Sequence, residues 1–223
     1  MVLSVRYFTL IGGTDVRKEK LLLTFAAFVG VMFLAGPTLA APLGYGETYQ
    51  EWTFDDDDNP AEPELDFNPY AVPIAFIEAA GGAAPPEWLL EFAGQTGVWQ
   101  AEPLIELTVE VPNQRVENPY KVIFLEIGFL GELDGFAVYT DPFGGAVSLA
   151  SHEIAVDPAS GWSVLTDGYF IEPNPNKEWI CYSFSGTAAV DYVKVYTKCV
   201  PEPVTISLLG LGGLMLRRKR GSV

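Results

Sequence analysis

The sequence has one histidine and two cysteines among 223 residues. That scarcity excludes an all-protein zinc centre built from four cysteines, from two cysteines and two histidines, or from three histidines. It also excludes a small fold stapled by several disulfides. Basic side chains are few as well: 13 Lys and Arg stand against 29 Asp and Glu, a formal charge of −16. An acidic surface repels phosphate groups, which argues against nucleic acid as a partner and against non-specific binding to an anionic membrane. Charged residues make up 19 % and hydrophobic ones 49 %, so this is no charged disordered chain. Alternating strand and helix periods are missing, and a doubly wound α/β enzyme fold is not expected. The Gly-rich stretch at residues 79–86 lacks the Lys and Ser/Thr of a phosphate cradle and reads as a loop.

What is present divides the chain into three parts. Residues 1–40 read as an extended signal peptide: Arg17, Lys18 and Lys20 precede an apolar run from Leu21 to Ala35. Gly36-Pro37 then stops the run, and Pro37-Thr38-Leu39-Ala40 supplies the small-residue exit, with cleavage expected after Ala40. At the other end, Pro201-Glu202-Pro203 leads into a Gly-rich apolar run from Val204 to Leu216, closed by Arg217-Arg218-Lys219-Arg220. A basic cluster in that position stays on the cytoplasmic side of a membrane and leaves the preceding domain outside.

This order resembles the PEP-CTERM sorting signal recognised by exosortase-type transpeptidases of Gram-negative bacteria. The resemblance covers residues 201–223, with the apolar run as a hydrophobic sorting helix. It implies export, temporary anchoring in the inner membrane, processing near Pro201–Pro203, and release to the cell surface or beyond. The implied partners are the secretion translocase and an exosortase-type enzyme, with extracellular polysaccharide as a further association.

Residues 41–200 hold the domain that folds. Asp15, Glu19 and Glu202 lie outside it, so 26 of the 29 acids remain, against only Arg115, Lys121, Lys177, Lys194 and Lys198. The resulting net charge of −21 leaves neutral glycans as better ligands than anionic ones. The pattern is mainly β. In Leu104–Val111, Ile105, Leu107, Val109 and Val111 alternate with Glu106, Thr108 and Glu110, as in a half-buried strand. Further strands are predicted at Tyr70–Ile77, Lys121–Phe129, Phe136–Tyr139, Val147–Val156, Trp162–Ile171, Trp179–Ser185 and Asp191–Cys199. Pro86–Ala93 alone predicts a short helix, with proline in its first turn. The expected fold is all-β, a single antiparallel β-sandwich or jelly roll, flanked by the signal and sorting helices.

Cys181 and Cys199 both fall in the exported part, which predicts a disulfide pinning a terminal hairpin with its turn near Gly186–Ala189. Thiol catalysis fits poorly, because His152 is the only imidazole and has no spacing signal around it. Asp55, Asp56, Asp57 and Asp58 with Asn59 offer hard oxygen ligands suited to a structural Ca²⁺. The EF-hand pattern fails there, since Pro60 replaces the glycine and Asp66 stands where the bidentate Glu belongs. A solvated acidic loop is the plainer reading. Paired carboxylates in a cleft would suit a glycan hydrolase, but no acid is marked by its surroundings. Trp52, Trp88, Trp99, Trp162 and Trp179, with Tyr139, Tyr169 and Tyr182, are candidates for stacking on sugars, or for core packing.

Residues 49–55, 118–121 and 190–195 also resemble β-rich PEP-CTERM proteins of environmental bacteria, which implies a secreted sandwich. The expectation is an exported, exosortase-processed, non-catalytic protein of the cell surface or extracellular matrix. A carbohydrate-binding module is the alternative.

Overall fold

The computed structural model describes residues 46–80, 84–113, 118–141 and 146–200. The predicted signal and sorting segments lie outside these residues. Ten strands are formed: β1 Glu47–Trp52, β2 Leu65–Asp66, β3 Ile74–Ala79, β4 Glu87–Phe92, β5 Gln95–Ala101, β6 Leu104–Pro112, β7 Tyr120–Thr140, β8 Ala146–Val156, β9 Ser163–Glu172 and β10 Lys177–Val200. All pairings are antiparallel, and no helix occurs among the described residues. The all-β, antiparallel expectation holds.

Two long strands organise the sheet. β7 has 21 residues and β10 has 24, and they pair from Glu178↔Thr140 to Val200↔Tyr120. Along its other edge β10 meets three partners in turn: β6 at residues 177–185, β5 at 188–190 and β1 at 193–198. The change of partner falls where the β7–β10 register shifts, between Ser185 and Ala189 and again between Val190 and Tyr192. β3 extends the sheet beyond β6, β9 and then β8 extend it beyond the first half of β7, and β2 extends it beyond β1.

The inward phase of each strand builds the core. Ile105, Leu107, Val109 and Val111 of β6 are buried, as their alternation predicts. They share one apolar cluster with Ile123, Leu125 and Ile127 of β7, Leu165 and Ile171 of β9, and Val193 and Val195 of β10. Both halves of the long strands therefore feed a single interior. Burying aliphatic side chains of this size stabilises by roughly 1.5–3 kcal/mol each.

Three expectations are corrected. The predicted helix at Pro86–Ala93 is strand β4, paired with β5 through the two-residue turn Ala93-Gly94. Both turn residues have positive φ, 49° and 85°, which matches the twist of a hairpin. Trp88 then sits opposite Trp99, a cross-strand aromatic pair that outweighs the local helical signal.

The predicted hairpin of Trp179–Ser185 and Asp191–Cys199 is also absent, because both segments belong to the single strand β10. The disulfide fails with it. Cys181 and Cys199 are free and stand eighteen positions apart on one strand. At about 3.3 Å per residue that is roughly 60 Å of straight strand, against the ~7 Å limit between bridged Cα atoms. Cys181 takes a hydrogen bond from Thr108 Oγ1 at 3.5 Å, and Cys199 Sγ donates to Asn174 Oδ1 at 3.3 Å. Burial pushes both thiols up, which keeps them protonated and poorly nucleophilic. Denatured protein is expected to take up two alkylating groups without prior reduction, and its thermal midpoint will not move when reductant is added. Uptake only after reduction would restore the bridge.

Candidate functional site: buried polar clusters and an aromatic face

Strand parity places charged residues in unexpected surroundings. On β9, Asp167 falls in phase with Leu165, Tyr169 and Ile171, so its side chain faces the core and is fully buried. Three groups compensate it. Tyr169 OH donates to Asp167 Oδ2 at 2.9 Å, Tyr182 OH donates to the same oxygen, and His152 Nδ1 lies 2.7 Å from Oδ1. The two phenol oxygens are also 2.6 Å apart. Burial raises both phenols far above the ordinary tyrosine value, which fixes them as donors at neutral pH. His152 comes from the edge strand β8, whose eleven residues are all exposed. Its ring stacks on Phe136 at a centroid distance of 5.7 Å.

A second cluster sits near the start of β7. Lys121 is in phase with Ile123 and Leu125, and Glu178 is in phase with Ile180 and Tyr182. Both are completely buried, and they form an ion pair. Asn113, directly after β6, joins them: Lys121 Nζ donates to its Oδ1, and its Nδ2 donates to Glu178 Oε2 and to the Pro175 carbonyl at 3.0 Å. The other described lysines also meet glutamates, Lys177 with Glu110 at 3.0 Å, Lys194 with Glu126 at 3.1 Å and Lys198 with Glu47 at 2.6 Å. Among the described residues, no lysine ion-pairs with the remaining acids, apart from a 4.0 Å approach of Lys194 to Glu51.

The outward face of β6, β10 and β7 carries a cross-strand row. Glu110 stands opposite Trp179, and Trp179 opposite Tyr139. Directly opposed residues share a face, so the indole and the phenol project from the same side of the sheet. Glu110 Oε2 accepts from Trp179 Nε1 at 2.8 Å, and Lys177 Nζ lies 4.5 Å from the indole centroid. Tyr139 is 60 % exposed.

No protein-family model and no curated protein sequence matches the chain. Its chemistry must be read from its own residues.

Of the predicted stacking residues, Trp52, Trp99 and Trp162 are buried and turned inward. Trp52 Nε1 donates to the Ala61 carbonyl at 3.2 Å and Trp162 Nε1 to the Ala93 carbonyl at 3.1 Å. Trp88 is half-buried and donates to the Phe54 carbonyl at 2.8 Å. Tyr169 and Tyr182 are likewise interior. Of these candidates, Tyr139 and Trp179 share an outer face by register. Asp55, Asp56, Asp57 and Asp58 are exposed, and the carboxylates of the first two are bonded within their own loop: Asp56 Oδ1 accepts from the Asp58 amide at 3.1 Å and Asp55 Oδ1 from Thr53 Oγ1 at 3.0 Å. Glu64 accepts from the Thr53 and Asp55 amides at 2.7 and 3.1 Å, closing the loop. Among the described residues no group of three or more His, Cys, Asp or Glu is arranged to hold a metal ion. Pro201, Glu202, Pro203, Arg217, Arg218, Lys219 and Arg220 lie outside the described residues.

Asp167, Lys121, Glu178 and Asn113 were not singled out from sequence, although a signal exists. Each charged member occupies the apolar phase of a strand, where an ionisable side chain must find a partner inside.

Proposed function

We propose that the chain is an exported, non-catalytic β-sandwich protein of the cell surface or extracellular matrix, processed at its C-terminal end by an exosortase-type enzyme. The observation that carries this reading is the ordered tail, Pro201-Glu202-Pro203, apolar run and Arg217-Arg218-Lys219-Arg220, directly following the last strand of an acidic all-β domain. The domain's buried ionisable groups are held by internal partners, which suits a durable scaffold. Mass measurement of the protein recovered from an exosortase-bearing Gram-negative host tests it. The expected product starts at Ala41 and ends within Pro201–Pro203. Recovery of a product still carrying Arg217–Arg220 would sink the processing step.

A second reading, a carbohydrate-binding module, is favoured by the Tyr139–Trp179 row. Two aromatic side chains in opposed register on one face, with Glu110 and Lys177 against the indole, combine apolar stacking surface with hydrogen-bonding groups. The acidic domain suits a neutral polysaccharide. A glycan array followed by titration of the best ligand is expected to show about a tenfold affinity loss in Tyr139→Ala and in Trp179→Ala, the scale of a 1.4 kcal/mol contact. Equal binding by both variants would remove this face from consideration.

A further inference from the structure

The Lys121–Asn113–Glu178 cluster contains the parts of a bond-forming site. An amine, a carboxamide and a carboxyl group meet in the interior: Lys121 and Glu178 are fully buried and Asn113 is 4 % exposed. The carboxyl bridges the other two. Glu178 Oε1 contacts the Lys121 amine, and Glu178 Oε2 accepts from the Asn113 amide nitrogen. The same amine contacts Asn113 Oδ1, which places the nucleophile against the carbonyl that it would attack. Pro175 O holds the Asn113 nitrogen from another side at 3.0 Å.

We propose that Lys121 and Asn113 become joined by an intramolecular isopeptide bond, with Glu178 as the catalytic proton carrier. A purely structural ion pair is the competing explanation, but such a pair gains little in a dry interior, where both charges are costly to bury. Burial pushes the Glu178 carboxyl up, against the opposing pull of Lys121. Transfer of a proton from the ammonium to Glu178 leaves a neutral amine beside a neutral acid. The Lys121 nitrogen lone pair then attacks Cγ of Asn113, and the C=O electron pair moves to Oδ1. Glu178 next relays a proton from the attacking nitrogen to Nδ2. The Cγ–Nδ2 bond breaks and ammonia leaves. Ammonium, carboxamide and carboxylate have become secondary amide, ammonia and carboxylic acid, so atoms and charge balance without an oxidant or co-reactant.

A carboxamide is a poor electrophile in water. Here, fixed geometry supplies an effective concentration on the order of 10⁵–10⁸ M when the groups are well oriented. Only one turnover is required in the lifetime of the molecule. The product places a neutral amide in the interior in place of a buried ammonium. It also ties the end of β6 to the start of β7, beside the first residues of β10.

Tryptic peptide mapping of the purified full-length protein under denaturing conditions tests the bond. The peptide ending at Arg115 is expected to be covalently attached to the one that follows it, through Asn113 and Lys121. This branched species should be lighter than the two peptides together by one ammonia, with no cleavage after Lys121. Glu178→Gln and Asn113→Ala should restore cleavage after Lys121 and abolish the branched species. Complete cleavage after Lys121 in the wild type, with an unlinked Asn113, would overturn the proposal even if Asn113 had lost ammonia by cyclising on its own backbone. If Glu178→Gln does not fold, Glu178→Asp is expected to give a smaller linked fraction that grows on incubation. A linked fraction equal to wild type in either variant would remove Glu178 from the mechanism.

Discussion

Replacing Asp167 with alanine is expected to lower the unfolding free energy by about 3 kcal/mol, read as a lower urea midpoint at unchanged slope. The carboxylate is fully buried and takes hydrogen bonds from Tyr169 and Tyr182, with His152 on its other oxygen. Its removal does more than delete these contacts. The phenols can still bond to each other, but two hydroxyl protons then share too few acceptors, and a small cavity opens among rings that cannot collapse onto it. Tyr182→Phe removes one donor and leaves a buried carboxylate less well compensated, at about 2 kcal/mol. The double variant Asp167→Ala/Tyr182→Phe should cost clearly less than the two losses added, because both act on one network. Strict additivity, or a loss below about 1 kcal/mol in Asp167→Ala, would show that these side chains do not act as one stabilising network.

Gly131→Ala is expected to cost about 2–4 kcal/mol, from positive φ together with a direct backbone clash. Gly131 has φ +108°, and an added Cβ would lie 2.7 Å from the Ser185 carbonyl oxygen and 3.2 Å from Ala188 Cα. Neither neighbour can swing away, since both belong to the backbone of β10 at the point where its register against β7 shifts. Gly186 provides the control. It has φ +90° but no atom within 4 Å of an added Cβ, so Gly186→Ala should lose only about 1 kcal/mol through conformational strain. If the two variants lose the same stability in parallel urea titrations, steric closure at Gly131 is not what lets the two long strands bend together.

The alternation in Leu104–Val111 was legible because one face meets the core and the other meets water, a period that the residues themselves display. The β9 segment was legible for the same reason, whereas β8, exposed along its whole length, was legible only from the Gly and Asp-Pro punctuation around it; the structure moves the ends of either by at most one residue. The breaks assigned within β7 and β10 were not breaks. Leu130–Gly135 and Gly186–Ala189 read as strand breaks, yet each becomes an irregularity in a continuous strand because the partner strand bends at the matching place. Only the pairing of residues far apart in sequence could reveal that. The aromatic candidates show the same limit: composition gave five tryptophans, but burial separated Trp52, Trp99 and Trp162 from Trp179.

The scarcity of histidine, cysteine and basic residues, the excess of acids and the strand-period alternation were settled by the chain alone, because composition and local periodicity need no knowledge of distant neighbours. They fixed an acidic, all-β domain without a multi-bridge framework. Tertiary structure decided which few charged residues go inside and what meets them there. Lys121, Glu178 and Asn113 come from the start of β7, the start of β10 and the residue after β6, and Asp167 meets a tyrosine of its own strand and another from β10. A buried charge is tolerable only with a partner across the core, and the identity of that partner is a property of strand register rather than of any local sequence.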